Sequence, residues 1–206
     1  MIEIKFYLVI NRPLPIQVMG IIFLGGMFMK KWSTKMLVEA GIMIALALVL
    51  DRIKVYEAPQ GGSVTAGSMV PIFVFAFRWG VGPGIVSGAV FGVLQLLLGG
   101  WFFTPIQAIL EYPIAFGSLG LSGIFSNKLE SGKKNIIGIV FGVLLGIGVR
   151  FLCHFIAGIV FFSEYAGDQN PWLYSLIYQA GYLVPEFIIT IIVLYIIWKP
   201  ISKINK

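Results

Sequence analysis

A chain of 206 residues that is 58% hydrophobic and only 12% charged carries more apolar surface than a soluble domain of that length can bury. An integral membrane protein is therefore expected, and the net charge of +6 does not point to nucleic acid, because the basic residues stand at the ends of apolar segments. The lone Cys153 excludes a disulfide within the chain and is expected to be an inert buried thiol.

No soluble block is large enough to fold by itself, so one all-α domain is expected, with about six spans of roughly 20 residues each. Residues 1–32 precede it as a disordered or interfacial extension: Pro13 and Pro15 break the segment, and the apolar run from Ile16 to Met29 is too short to span. No small-residue cleavage site precedes Lys30 and Lys31, and Met27 or Met29 would be a natural first residue. The six-helix domain covers 33–206.

The first span runs from about Met36 to Leu50. Gly41 and Ala45 form a small-xxx-small pair on it, which fits both internal packing and docking of a separate membrane partner. Asp51, Arg52, Lys54 and Glu57 mark a membrane exit, and the Pro/Gly-rich stretch 58–63 has turn chemistry. A second span, about Thr65 to Phe77, borrows its start from that loop and ends at Arg78-Trp79. Gly80, Gly84, Gly88 and Gly92 recur every four residues along the third span, about Val81 to Leu98. That is a seam for tight helix packing, not a phosphate loop, because the segment is apolar and no Lys follows.

The fourth span, about Thr104 to Phe125, holds Gln107 and Glu111 one helical turn apart, with Tyr112 beside them. A carboxylate inside a span is a functional-site candidate. Ligand contact, an ion pair with Arg150 and a protonated acid are its three readings. The charged loop with Lys128, Glu130, Lys133 and Lys134 is not a nucleotide loop: Asn127 stands where the earlier glycine is required, and a span precedes it, not a strand.

On the fifth span, about Ile136 to Phe162, Gly138, Gly142 and Gly146 lead into Arg150, His154 and Gly158 on one helical face. Phe161, Phe162 and Tyr165 continue it. After the polar link through Asp168, Gln169 and Asn170, the sixth span (about Pro171 to Trp198) brings Trp172, Tyr174, Ser175, Tyr178, Gln179 and Tyr182. These two segments are expected to wall a pocket for a flat, polar, cationic small molecule. The basic residues favour an orientation with both termini cytoplasmic, which puts the pocket on the outer side.

His154 is the only histidine, and no second His or Cys stands at ligand spacing, so no metal is expected. Catalysis would need Ser175 or Cys153 as nucleophile with His154 as base, and no hydrolase motif accompanies them. Binding explains more. An organic cation is well held by aromatic faces and one carboxylate, and an aminated heteroaromatic ring wants an acid, an amide and hydroxyls at its edge. Glu111, His154, Tyr174 and Gln179, with Phe162, Trp172 and Tyr165, supply both sets.

At these residues the chain resembles the thiamine-specific substrate-binding subunits (S-components) of energy-coupling factor vitamin transporters. The stretches that carry the resemblance are PQGGS at Pro59–Ser63, FRWG at Phe77–Gly80, LEY at Leu110–Tyr112, H-x-x-x-G-x-x-F-F at His154–Phe162, and NPWLYS at Asn170–Ser175 followed by Tyr178. The likeness covers about residues 33–200. It implies an S-component-like bundle of six transmembrane helices in the cell membrane that captures thiamine from outside with high affinity. It implies a binding subunit and no enzyme: the chain has no cofactor of its own, and ATP is used by two ATP-binding-cassette partners working with a transmembrane coupling subunit. By matching position, Glu111, Tyr112, His154, Gly158, Phe162, Tyr174 and Gln179 would line the thiamine site, and Gly41 and Ala45 would meet the coupling subunit. Phe162 stands where some members have Trp, and Gln179 replaces an Asn common in the family. A sister subunit for another vitamin or a thiamine precursor, and an intramembrane hydrolase, are the alternatives.

Overall fold

The computed structural model describes residues 32–128 and 133–204, with side chains at 32–126 and 136–198. The expected extension at 1–32 lies outside the described residues apart from Trp32, as do Lys206 and the side chains of the other basic residues at the carboxyl end.

Helix α1, Thr34–Asp51, opens on Ser33, whose hydroxyl accepts from the Met36 amide at 3.2 Å. It buries Met36, Ala40 and Ala47, while Leu37, Val38, Ile42, Leu46 and Val49 stay exposed. The chain then forms a short antiparallel hairpin of β1, Lys54–Glu57, and β2, Ser63–Thr65. The hairpin departs from the expected all-helical architecture. Its strands of four and three residues are too short to leave a period in the sequence, and Thr65 belongs to β2, not to a helix start.

Helix α2, Val70–Trp79, is buried on every side from Val70 to Phe77. A helix of ten residues reaches only about 15 Å, so it serves as the centre of the bundle. Its Phe73 and Phe77 form one core with Phe91, Leu119, Val143, Leu183 and Leu194, with Trp198 edge-on to Phe77. Gly80 separates α2 from α3, Val81–Leu97, with φ 92°, a backbone state that a side chain would strain.

The fourth helical segment is broken. It begins as α4, Pro105–Ile109, capped by Thr104. It widens to a π-turn over Leu110–Ile114, recovers as α5, Ala115–Gly117, and tightens to a 3₁₀ run over Ser118–Lys128. Pro113 explains the break: its nitrogen has no hydrogen to donate and its ring crowds the carbonyl one turn back, so the helix opens to the wider ladder. The glycine seam of α3 packs on this segment as expected. A Cβ on Gly84 would lie 2.9 Å from the Gly120 Cα, on Gly88 3.1 Å from the Gly117 Cα, and on Gly92 3.1 Å from the Pro113 nitrogen.

Helix α6, Lys133–Phe161, packs against the 3₁₀ run through Gly142 and Gly146 and against α7, Pro171–Ile204. A 3₁₀ turn at Ser163–Ala166 links them, and Asn170 caps α7 by accepting from the Trp172 amide. Six helical segments thus follow one another in the expected order. Among the described residues three stretches are long and apolar enough to cross a membrane: Pro105–Ser126, Ile136–Phe161 and Pro171–Trp198.

Candidate functional site

The π-turn, α6 and α7 converge on a cavity of about 190 Å³, roofed by the hairpin turn and the loop after α3. Its floor is a chain of polar side chains. Gln107 accepts from the Phe103 amide at 2.8 Å and donates from Nε2 to Glu111 Oε2 at 2.6 Å. Glu111 Oε1 faces His154 Nδ1 at 3.3 Å, and Arg150 Nε donates to His154 Nε2 at 3.3 Å. An acceptor at Nε2 assigns the imidazole proton to Nδ1, so a neutral His154 donates to Glu111. Both Glu111 oxygens thus accept hydrogen bonds, one from Gln107 and one from His154.

This geometry selects among the readings of Glu111. The direct Glu111–Arg150 ion pair is absent among the described residues, and His154 stands between the two. Arg150 lies over the Phe116 ring, with Cζ 4.1 Å from its centroid, and directs Nη1 to the Met69 sulfur at 2.8 Å. The nucleophile reading finds no support. Ser175 Oγ donates to the Phe155 carbonyl at 2.9 Å, and both His154 nitrogens are engaged elsewhere. No group of three or more His, Cys, Asp or Glu that could hold a metal occurs among the described residues.

The walls come from α6 and α7, which approach closely at Gly158: a Cβ there would lie 2.9 Å from the Ser175 Cβ. Gln179 Nε2 donates to the His154 carbonyl at 3.1 Å, and its oxygen accepts from the Tyr182 hydroxyl. Tyr174 and Tyr178 stack at 6.1 Å. The roof is tied down by Tyr178, whose hydroxyl accepts from the amides of Gln60 (3.1 Å) and Gly62 (3.2 Å). Behind that tie, Glu186 accepts from the Thr65 amide and hydroxyl, anchoring β2 to α7.

Of the residues singled out in the sequence, Glu111, Tyr112, His154, Gly158, Phe162, Tyr174 and Gln179 all line this one cavity. Tyr165 and Trp172 do not. Tyr165 stacks on Phe103 outside the lining, and Trp172, 61% exposed, packs edge-on to Phe155. Tyr178 and Tyr182, expected in the pocket wall, line it as well, and the cavity also enlists residues not assigned to it from sequence: Trp101 in the roof, Gln95, and the charged set Asp51, Arg52, Lys54 and Glu57. Tyr178 and Tyr182 share a helical face with Ser175 and Gln179, the signal that placed them in the wall, whereas Trp101 had none. Gly41 and Ala45 lie on the exposed side of α1, and a Cβ on Gly41 would meet nothing within 4 Å.

Comparison with known proteins converges on one family. The family model described as Thiamine transporter protein (Thia_YuaJ) matches residues 37–206. The thiamine transporter ThiT of Bacillus subtilis (strain 168) is 38% identical over 180 residues, which cover 82% of this chain and 93% of that protein. ThiT of Lacticaseibacillus paracasei is 36% identical over 168 residues, 76% of this chain and 83% of that one. The solved structure of ThiT from Listeria monocytogenes superposes with a TM-score of 0.75 at 28% identity, covering 82% of this chain and 96% of its own. The family is one of transporters and not of enzymes. By the matched length and these identities, the chain belongs to the thiamine transporter family.

Proposed function

We propose that this chain is the thiamine-binding S-component of an energy-coupling factor importer. It sits in the cell membrane with six transmembrane helices and both termini cytoplasmic, and captures thiamine from outside with high affinity. It has no cofactor of its own. A separate coupling subunit docks on α1 around Gly41 and Ala45, and two ATPase subunits supply the energy for inward release.

One observation carries the reading: a buried carboxylate, Glu111, is held by Gln107 and His154 at the floor of a cavity walled by Phe162, Tyr174, Tyr178 and Tyr182. Thiamine matches that chemistry. Its thiazolium is a permanent cation, attracted by the carboxylate and by ring faces. Its aminopyrimidine offers an amine and ring nitrogens to Glu111, Gln179, His154 and Tyr174. Desolvating a fixed cation is costly, and a pre-placed anion in low dielectric offsets that cost.

The test is direct. Calorimetry on the purified full chain is expected to give saturable 1:1 binding of thiamine, and cells are expected to take up labelled thiamine only when the coupling and ATPase subunits are co-expressed. No binding would overturn the vitamin assignment; uptake by this chain alone would overturn the partner assignment. A wider affinity for the pyrimidine precursor than for thiamine would favour the sister-subunit reading.

A further inference from the structure

Thr104-Pro105-Ile106-Gln107 opens the fourth helical segment with the signature of a capping box, a hydroxyl residue followed three positions later by an amide. The Thr104 hydroxyl accepts from the Gln107 main-chain amide at 3.2 Å. The Gln107 side chain reaches back in turn, and its Oε1 accepts from the Phe103 amide at 2.8 Å, one residue before the cap. That bond decides which end of the carboxamide is which. Oε1 is committed to a backbone N–H, so the Nε2 end, which can only donate, must face the other way.

On that side stands Glu111, one turn along, whose Oε2 receives the Nε2–H at 2.6 Å. Gln107 is 0% exposed and stays behind the cavity lining, whereas Glu111 is part of it. From the opposite direction His154 Nδ1 holds Oε1 at 3.3 Å. A carboxyl group gripped at both oxygens has its plane fixed, and each oxygen keeps a second lone pair for a ligand donor. The main chain at Glu111 is the π-turn over Leu110–Ile114, a widened ladder interrupted by Pro113, so the aim of the carboxyl is left to its side-chain partners.

We propose that Gln107 is a positioning residue that sets the specificity of the site: its pinned amide aims the Glu111 carboxyl so that a free lone pair meets an N–H donor on the ligand's ring edge. This rests on the thiamine reading above, in which that donor is the exocyclic amine of the pyrimidine. An oxo group at the same place brings acceptor against acceptor and leaves buried polar groups unpaired, which discriminates more strongly than a missing contact does. Gln107 thus serves two ends, the cap of α4 and the aim of Glu111. Only the second depends on the chemistry of the ligand.

The experiment compares the full-length chain with Gln107→Met and Gln107→Ala by calorimetry, using thiamine and the analogue whose pyrimidine carries an oxo group in place of the amine. Met keeps the length of Gln and cannot donate; where Gln107→Met is not recovered folded, Gln107→Ala carries the comparison. The native chain is expected to prefer thiamine at least tenfold. The variants are expected to weaken thiamine at least fivefold and to change the oxo analogue less than twofold, so that the preference narrows. In a Glu111→Ala background the same Gln107 change is expected to weaken thiamine less than twofold further, because it acts through Glu111. Thiamine affinity within twofold of native, equal losses for both compounds, or a full additional loss on top of Glu111→Ala would leave Gln107 a helix cap and overturn the proposal. If the native chain binds neither compound the thiamine reading falls and the positioning role with it. Native binding of thiamine with no preference over the oxo analogue overturns the positioning role alone.

Discussion

Glu111 and His154 stand 43 residues apart in the chain and 3.3 Å apart at the cavity floor, joined Oε1 to Nδ1. Neither is placed by its own helix alone. Glu111 is delivered by the π-turn that Pro113 forces, and His154 by the face of α6 that also carries Arg150 and Gly158. The contact turns Glu111 Oε1 to the His154 ring, which stands between a carboxyl group and a guanidinium.

Removing the carboxylate tests the core of the site. Glu111→Ala leaves Gln107 Nε2 and His154 Nδ1 without an acceptor and deletes the anion. Thiamine affinity, measured by calorimetry, is expected to fall at least tenfold, and an unchanged affinity would remove Glu111 from the site.

The tautomer assignment makes a finer prediction at His154. An Asn amide can reproduce the Nδ1 donor to Glu111, whereas Leu cannot. His154→Leu also strands the buried acceptor and the Arg150 donor, at about 1–3 kcal/mol for each unsatisfied group. The expected order of both thermal stability and thiamine affinity is native, then His154→Asn, then His154→Leu. Equal losses in the two variants would contradict a donor at Nδ1.

Tyr178 holds the roof through two amide hydrogen bonds, from Gln60 and Gly62. Tyr178→Phe keeps the stacked ring and removes only the acceptor, with each lost bond worth about 1 kcal/mol. Thiamine dissociation followed by stopped-flow fluorescence is expected to accelerate by up to roughly thirtyfold, the equivalent of about 2 kcal/mol for the two bonds. A native off-rate would show that the roof is held elsewhere, for instance at Glu186 and Thr65.

Two glycines separate packing from docking. A Cβ on Gly92 would sit 2.6 Å from the Tyr112 carbonyl carbon, so Gly92→Ala must push α3 off the π-turn that carries Glu111. Its melting temperature in detergent and its thiamine affinity are both expected to drop. Gly41→Ala meets nothing and gains helix propensity of about 1 kcal/mol, so it is expected to melt no lower than the native chain.

The same open side of α1 carries the docking proposal. Gly41→Trp and Ala45→Trp are expected to leave thiamine binding unchanged in the isolated chain and to abolish uptake when the coupling and ATPase subunits are present. Uptake at the native level in both variants would place the coupling subunit on another surface.

Periodicities along the chain announced a good deal. The four-residue spacing of Gly84, Gly88 and Gly92 announced a close helix contact, and the same spacing of Arg150, His154 and Gly158 announced a shared face, because a helix converts sequence interval into direction. Six apolar segments, and a carboxylate in one of them facing a cavity, were legible for the same reason: such patterns are local. What a segment leans against is not local. No interval in the sequence distinguishes Trp101, which the loop after α3 folds back over Phe162, from Trp172, which packs on Phe155 away from the cavity. Nor does any interval say that Arg150 lies over Phe116 instead of pairing with Glu111, or that Lys54–Glu57 pair as a strand over the site. Those outcomes were settled by which helices lie close enough to touch, and that depends on packing the whole bundle around α2.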